Sequence, residues 1–266
     1  MELLFLFSYL KQNFLGDSLK FILPENVEGM ALGENEDCSF AYFSPNPFLR
    51  AVFLQRLKEA ARFIPSRYFG EGAYVLDIGS GCGYMFPTLS QKGKIVAFDY
   101  VAEYLKNAKV LADAHDIPVS YINGNVYQLP FADKTFSLVN ALSVLEHIED
   151  LDTAVQEIKR VMKDDGVLIV GVPVERILVN TLFTLLAFKD KVISFFKGEK
   201  DNAEYRKNKY QDVHYSDFEA IEYALSKSFV IEDSQKIFFN WVPNAFSLYK
   251  IFKCVPKSSV SLDQKE

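Results

Sequence analysis

The sequence predicts an α/β protein built on one parallel sheet, and three observations lead there. A short apolar run (Tyr74, Val75, Leu76, Ile78) reads as a buried strand and is followed at once by glycines at Gly79, Gly81 and Gly83. A second run, Lys94–Asp99, ends in a carboxylate 22 residues beyond Asp77, the spacing expected of a nucleotide-binding βαβ unit. A third, Val167–Val172, is almost wholly apolar, the composition of a central parallel strand covered on both faces. Alternating strand and helix signals between these runs make a βαβ array over Tyr74–Val172.

A chain of 266 residues can bury one sizeable core with an added helical region. With 49% hydrophobic and 24% charged residues it is a folded protein rather than a disordered one. The net charge of −6 argues against a nucleic-acid backbone as the main partner, because phosphate binding needs basic surface. Cys38, Cys82 and Cys254 are distant from one another and odd in number, which predicts neither a disulfide framework nor a metal site. Cys82 reads as a small filler in the glycine loop, and the compartment implied is reducing, hence cytoplasmic. The apolar start, Met1–Leu10, lacks a basic leader and a small-residue cleavage site and is too short to span a bilayer, so it reads as a core or interfacial helix.

Residues 1–72 form a helical extension without a chemical motif. Asn46-Pro47 suggests an N-cap and first helical residue, and Leu49, Val52, Phe53, Leu57, Ala60, Ala61 and Ile64 recur at helical spacing up to Pro65. Phe40, Tyr42 and Phe43 are read as core, with cover for a pocket as the alternative.

In the glycine loop, absence of Cβ atoms lets the backbone fold sharply and lie against a ligand, and a helix from about Tyr84 would aim its free N–H groups there. The spacing is G-x-G-x-G, and Tyr84 stands where a dinucleotide loop of the G-x-G-x-x-G type needs its third glycine, which weakens a dehydrogenase reading. Asp77 precedes the first glycine by two residues. This pattern resembles the first motif of the class I S-adenosylmethionine-dependent methyltransferases. An acid at that strand end can offset the ammonium and sulfonium charges of S-adenosyl-L-methionine. The resemblance places Asp77, Gly79, Ser80, Gly81 and Gly83 around its methionine end.

Asp99 would then accept both ribose hydroxyls, or cap the helix of about Val101–His115, or do both. Tyr100 and Val101 would lie beside the adenine. After a strand from Pro118 to Ile122, Asn123-Gly-Asn-Val-Tyr-Gln-Leu-Pro-Phe-Ala-Asp133 resembles the G-D-A-x-x-L-P-F-x-D stretch of the same family. There the acidic residue binds the adenine amino group; Asn125 replaces it here, next to Val126, and an amide can still accept and donate.

Thr135–Asn140 reads as the fourth strand, leading into Ala-Leu-Ser-Val-Leu-Glu-His-Ile148, which resembles the Val-Leu-Glu-His signature of type 11 and quinone-pathway methyltransferases. In that family the strand tip faces the transferable methyl, so Leu142 is counted with the cofactor-binding residues. The Asn/Asp-Pro-Pro-Tyr/Phe clamp of many amino-group methyltransferases is absent. His147 can remove a proton near neutral pH, with a purely structural histidine as the alternative. Asp150 and Asp152 open a helix whose buried side is Ala154, Val155, Ile158, Val161 and Met162, and Lys163-Asp-Asp-Gly166 reads as the turn into the fifth strand.

Residues 173–213 resemble an insertion after the fifth strand. Its apolar part, 177–196, is too short to cross a membrane. It reads as a lid over a lipid-like, quinone-like or aromatic acceptor, as a peripheral membrane contact, or as a helix packed on the N-terminal segment. Asp212-Val-His-Tyr-Ser-Asp217 resembles the family's H-x-(Y/F)-(S/T) stretch, with His214 as a weaker catalytic candidate, and Ser216 with Glu219 suggests a capping box. Phe229–Ile237 and Phe246–Phe252 read as the last strands, and 257–266 as a polar tail.

The resemblance implies a Rossmann-like, doubly wound seven-stranded sheet over 73–256, mostly parallel with an antiparallel seventh strand. It further implies S-adenosyl-L-methionine as methyl donor, S-adenosyl-L-homocysteine as product, and a small, hydrophobic or aromatic acceptor methylated on carbon or oxygen. The rival expectations are a methyltransferase acting on protein or tRNA, and a cofactor-binding scaffold without turnover.

Overall fold

The computed structural model describes residues 19–24, 42, 47–65, 72–91, 93–174, 215–237 and 249–257. A helix, α1, runs Pro47–Phe63, starting at the proline that favours a first helical turn. Strand β1 is Tyr74–Ile78 and β2 is Lys94–Asp99, with a single helical turn, α2 (Phe86–Leu89), between them. Helix α3 (Ala102–Ala114), β3 (Val119–Asn123) and β4 (Phe136–Leu142) follow, then a 3₁₀ turn at Leu145–His147 and α4 (Leu151–Val161). Strand β5 (Met162–Pro173), α5 (Phe218–Ser228), β6 (Phe229–Lys236) and β7 (Tyr249–Pro256) complete the described elements.

The seven strands lie in the order β3-β2-β1-β4-β5-β7-β6. Strands β1 to β5 pair in parallel, whereas β7 runs antiparallel to both β5 and β6. This is the seven-stranded, mostly parallel sheet that the sequence implied. Alternation along the strands divides the core. Val75, Ile95, Ala97, Leu138, Ile169 and Ile251 face a layer with residues of α1 and α3. Leu76, Val96, Phe98, Val139, Val170 and Phe252 face a layer with α4 and α5. Helix α1 packs on β5 and β7, so the N-terminal segment is joined to the carboxyl half of the sheet.

Several local expectations change. The helix after the glycine loop is one turn, with no N-terminal row of amides aimed at a ligand. Lys163–Gly166 is drawn into β5, where the pairing with β4 shifts register between Phe136 and Leu138. Asp217, not Ser216, caps α5, accepting from the Ala220 N–H at 2.9 Å, while the Ser216 hydroxyl donates to the Ile148 carbonyl at 3.3 Å. Cys82 is disulfide-bonded and Cys254 is free and buried, so the expectation of three independent thiols is corrected and the reducing-compartment reading loses that support. No helix among the described residues is long and apolar enough to cross a membrane. The insertion 177–196 and His214 lie outside the described residues.

Candidate functional site

The carboxyl ends of β1, β2 and β4 meet at the glycine loop. Gly79 and Gly83 have φ of +62° and +79°, a region costly for residues with a Cβ. A Cβ on Gly79 would overlap Val144 Cγ2, so the start of the loop lies hard against the segment after β4. The Gly79 N–H donates to the Phe98 carbonyl at 2.8 Å, which carries the β1–β2 ladder one step into the loop.

Two acids tie the strand tips together. The β1–β4 register sets Asn140 opposite Asp77, and the Asn140 amide donates to Asp77 Oδ1 at 2.7 Å. Asp99 accepts from the Gly81 N–H at 2.9 Å with one oxygen and from the Val101 N–H at 2.8 Å with the other. It therefore braces the loop and the start of α3 together, although Val101, not Asp99, is the cap residue. Both carboxylates are buried. Burial raises Asp77 to about 7, opposed by the Asn140 hydrogen bond and reinforced by the like charge of Asp99. Burial raises Asp99 as well, against backbone N–H donors at Val101, Gly81 and Tyr100.

The remaining predicted residues fall around this nucleus. Ser80 sits in the loop with its Oγ buried and unbonded, and Asn140 Oδ1 is likewise buried without a partner. Tyr100 is 77% exposed, next to Asp99. Asn125 is exposed and its Oδ1 accepts from the Tyr127 N–H at 3.0 Å, which holds the amide in a turn with a second oxygen lone pair and the NH₂ left for a nucleobase. Val126 beside it is buried. Leu142 ends β4, half-buried. His147 is half-buried in the 3₁₀ turn, five residues beyond the β4 tip, held by its N–H to the Val144 carbonyl at 3.0 Å.

The Leu-Pro-Phe stretch is anchored rather than free. Arg160 on α4 donates to the Leu129 and Phe131 carbonyls at 2.9 and 2.8 Å and pairs with Asp133 at 2.7 Å. Glu157 accepts from the Leu129 N–H at 3.0 Å and is held in turn by Arg160.

Asn140 escaped the sequence reading because only the β1–β4 register shows what it faces. Arg56 escaped because a lone arginine on a helix carries no motif. It meets Tyr42, Ser143 and Tyr249 only through the fold.

These features fit S-adenosyl-L-methionine. The cradle has no Cβ at its two tightest points, two buried polar atoms await donors, and acids stand at the β1 and β2 tips. Residues 76–170 match the family model described as a methyltransferase domain. The ubiquinone biosynthesis O-methyltransferase of Haemophilus ducreyi is 29% identical over 151 residues, covering 54% of this chain and 63% of that protein. The demethylmenaquinone methyltransferase of Thermobifida fusca is 32% identical over 101 residues, covering 37% of this chain and 43% of its own length. The match thus spans less than two thirds of either relative. Among solved structures, the PH0226 protein of Pyrococcus horikoshii superposes with a TM-score of 0.59 at 19% identity, over 85% of this chain and 99% of that one, which speaks for the fold alone. The matched methyltransferase domain at 76–170 and the methyltransferase relatives support a class I S-adenosylmethionine-dependent methyltransferase domain in this chain, and the sheet order agrees with that fold.

Proposed function

We propose that this protein transfers a methyl group from S-adenosyl-L-methionine to carbon or oxygen of a small, hydrophobic or aromatic acceptor. The observation that carries the proposal is the tie made at the sheet edge: Asn140 to Asp77 across β1 and β4, and Asp99 to Gly81 across β2 and the loop. It holds two acids, two unbonded polar atoms and a side-chain-free bend around one spot.

The cofactor supplies an electrophilic methyl on a sulfonium. Asp99 offers acceptor oxygens for a ribose, Asp77 with Asn140 faces the methionine end, and Tyr100 and Val126 flank the base. Transfer requires the acceptor atom, methyl carbon and sulfur in line at about 3 Å, so most of the rate comes from positioning. An acceptor already acidic, such as an enol or phenol, needs only a weak base, and His147 is the group proposed to take its proton. The quinone-pathway names of two relatives support an aromatic acceptor.

Calorimetric titration with S-adenosyl-L-homocysteine, followed by incubation of radiolabelled cofactor with cell extract, tests this. Label in the small-molecule or lipid fraction is expected. Label confined to protein or RNA would move the acceptor to a macromolecule, and cofactor binding without any transfer would make the protein a scaffold.

A further inference from the structure

A second polar cluster adjoins the loop and belongs to none of the family motifs. Arg56 of α1 donates from Nη1 to the Ser143 hydroxyl at 3.0 Å and from Nε to the Tyr42 hydroxyl at 3.1 Å, and Nη2 also reaches Tyr42. Its guanidinium carbon lies 4.4, 5.2 and 5.6 Å from the ring centres of Phe53, Tyr42 and Tyr249. Tyr249 gets there because Gly171 has no side chain: a Cβ would stand 2.5 Å from the Tyr249 hydroxyl. The Ser143 and Tyr249 hydroxyls are themselves 3.0 Å apart. Four separate parts of the chain therefore converge on one guanidinium.

Two facts connect the cluster with methyl transfer. Tyr42 packs on Tyr84 with ring centres 4.6 Å apart, and Tyr84 directly follows Gly83, so cluster and loop share a wall. Ser143 is the residue just past the β4 tip, and it holds φ at +57°. That conformation costs a non-glycine residue about 1 kcal/mol or more and persists where the surroundings over-determine it. Here the Ser143 N–H donates to the Gly171 carbonyl at 2.8 Å and the hydroxyl is held by Arg56 and Tyr249.

The charge balance indicates the ligand. Among the described residues no carboxylate lies within ion-pair distance of Arg56. Its hydrogen-bond acceptors among the described residues are neutral hydroxyls, and they occupy three of its five N–H groups. Burial keeps the Tyr249 phenol protonated well above its ordinary range, so it supplies no negative charge. Burial works against the Arg56 cation, but Tyr42, Tyr249 and the buried Glu146 carboxylate outweigh it, so the guanidinium stays charged. Two N–H groups of this charged guanidinium have no hydrogen-bond acceptor among the described residues, and its planar fork suits a carboxylate or phenolate oxygen there.

We infer that Arg56, with Tyr42, Ser143 and Tyr249, is the acceptor-docking site, and that the acceptor is a planar organic anion held through a carboxylate or phenolate oxygen. The inference rests on the proposed methyl transfer and adds the acceptor's charge and shape.

The test is calorimetry on the full chain saturated with S-adenosyl-L-homocysteine, using 4-hydroxybenzoate and its methyl ester as probes at pH 7 and pH 9.5. A carboxylate anchor predicts that the acid binds at least about tenfold more tightly than the ester at pH 7. A phenolate anchor predicts that the ester gains about tenfold at pH 9.5, where its phenol is ionised. In either case Arg56→Met, which keeps the packing volume, should remove the preference, while Arg56→Lys keeps part of it and checks that a folded variant is being read. Homocysteine-product binding should stay within about twofold in both variants. Equal binding of ionised and neutral probes, no binding of either anion, or an unchanged preference in Arg56→Met overturns the inference while leaving the methyltransferase proposal intact. Failure of the wild-type chain to bind S-adenosyl-L-homocysteine takes down both.

Discussion

Asp77→Asn separates the electrostatic cost of the site from its function. The Asp77 carboxyl is 3% exposed and its pKa is raised from 3.8 to about 7, first by burial and then by Asp99. The folded state therefore binds a proton that the unfolded chain has already released between about pH 4 and pH 7. Stability contributed by the protonated form is complete below about pH 4 and is lost as pH rises through about 7. At about 1.4 kcal/mol for each pH unit between the two values, the ionised form costs about 4 kcal/mol at pH 8. Asparagine keeps the shape, stays neutral and can still accept from the Asn140 amide. Urea unfolding of the cofactor-free protein should show Asp77→Asn gaining on wild type as pH rises, by about 1.5 kcal/mol at pH 5 and about 4 kcal/mol at pH 8, a change of about 3 kcal/mol between the two. The same variant should bind S-adenosyl-L-homocysteine more weakly, since the ammonium of its methionine end loses the nearby carboxylate. A wild-type stability flat from pH 5 to pH 8, or a variant less stable than wild type at pH 8, would refute the assignment of Asp77 as a buried acid whose ionisation destabilises the fold.

Asp99→Ala removes the acceptor of the Gly81 and Val101 N–H groups together with the expected ribose contacts, and should weaken S-adenosyl-L-homocysteine binding by at least about tenfold in calorimetry. Gly79→Ala forces a Cβ onto Val144 at a φ of +62°, and a loss of about 2 kcal/mol or more in urea unfolding is expected, partly recovered by adding Val144→Ala. Arg160→Ala frees the Leu129 and Phe131 carbonyls and should cost about 1–3 kcal/mol, with faster amide hydrogen exchange over 129–133 as the local signature. His147→Gln should lower turnover while leaving cofactor binding within about twofold, and unchanged turnover across pH 6–9 would exclude it as the proton acceptor.

The sequence by itself determined the frame. The apolar runs located β1 and β2 within the chain, and the core of β5 at Val167–Val172, because such runs can be satisfied only by a sheet covered on both faces, while β5 starts five residues earlier and β7 ends four residues later than the runs implied. The same holds for the acids: Asp77 and Asp99 are legible because a strand end followed by a glycine bend has one place to put a carboxylate. Local chemistry was less secure. Ser216 and Asp217 are both good caps, and only the path of the chain past Ile148 decided between them. Tertiary structure alone supplied the partners. Asn140 meets Asp77 through strand register, and Arg56, Ser143 and Tyr249, separated by 87 and 106 residues, meet through sheet order and one absent Cβ at Gly171. Contacts of that range leave no periodic trace in the chain, since each residue's own neighbours in sequence are indifferent to them.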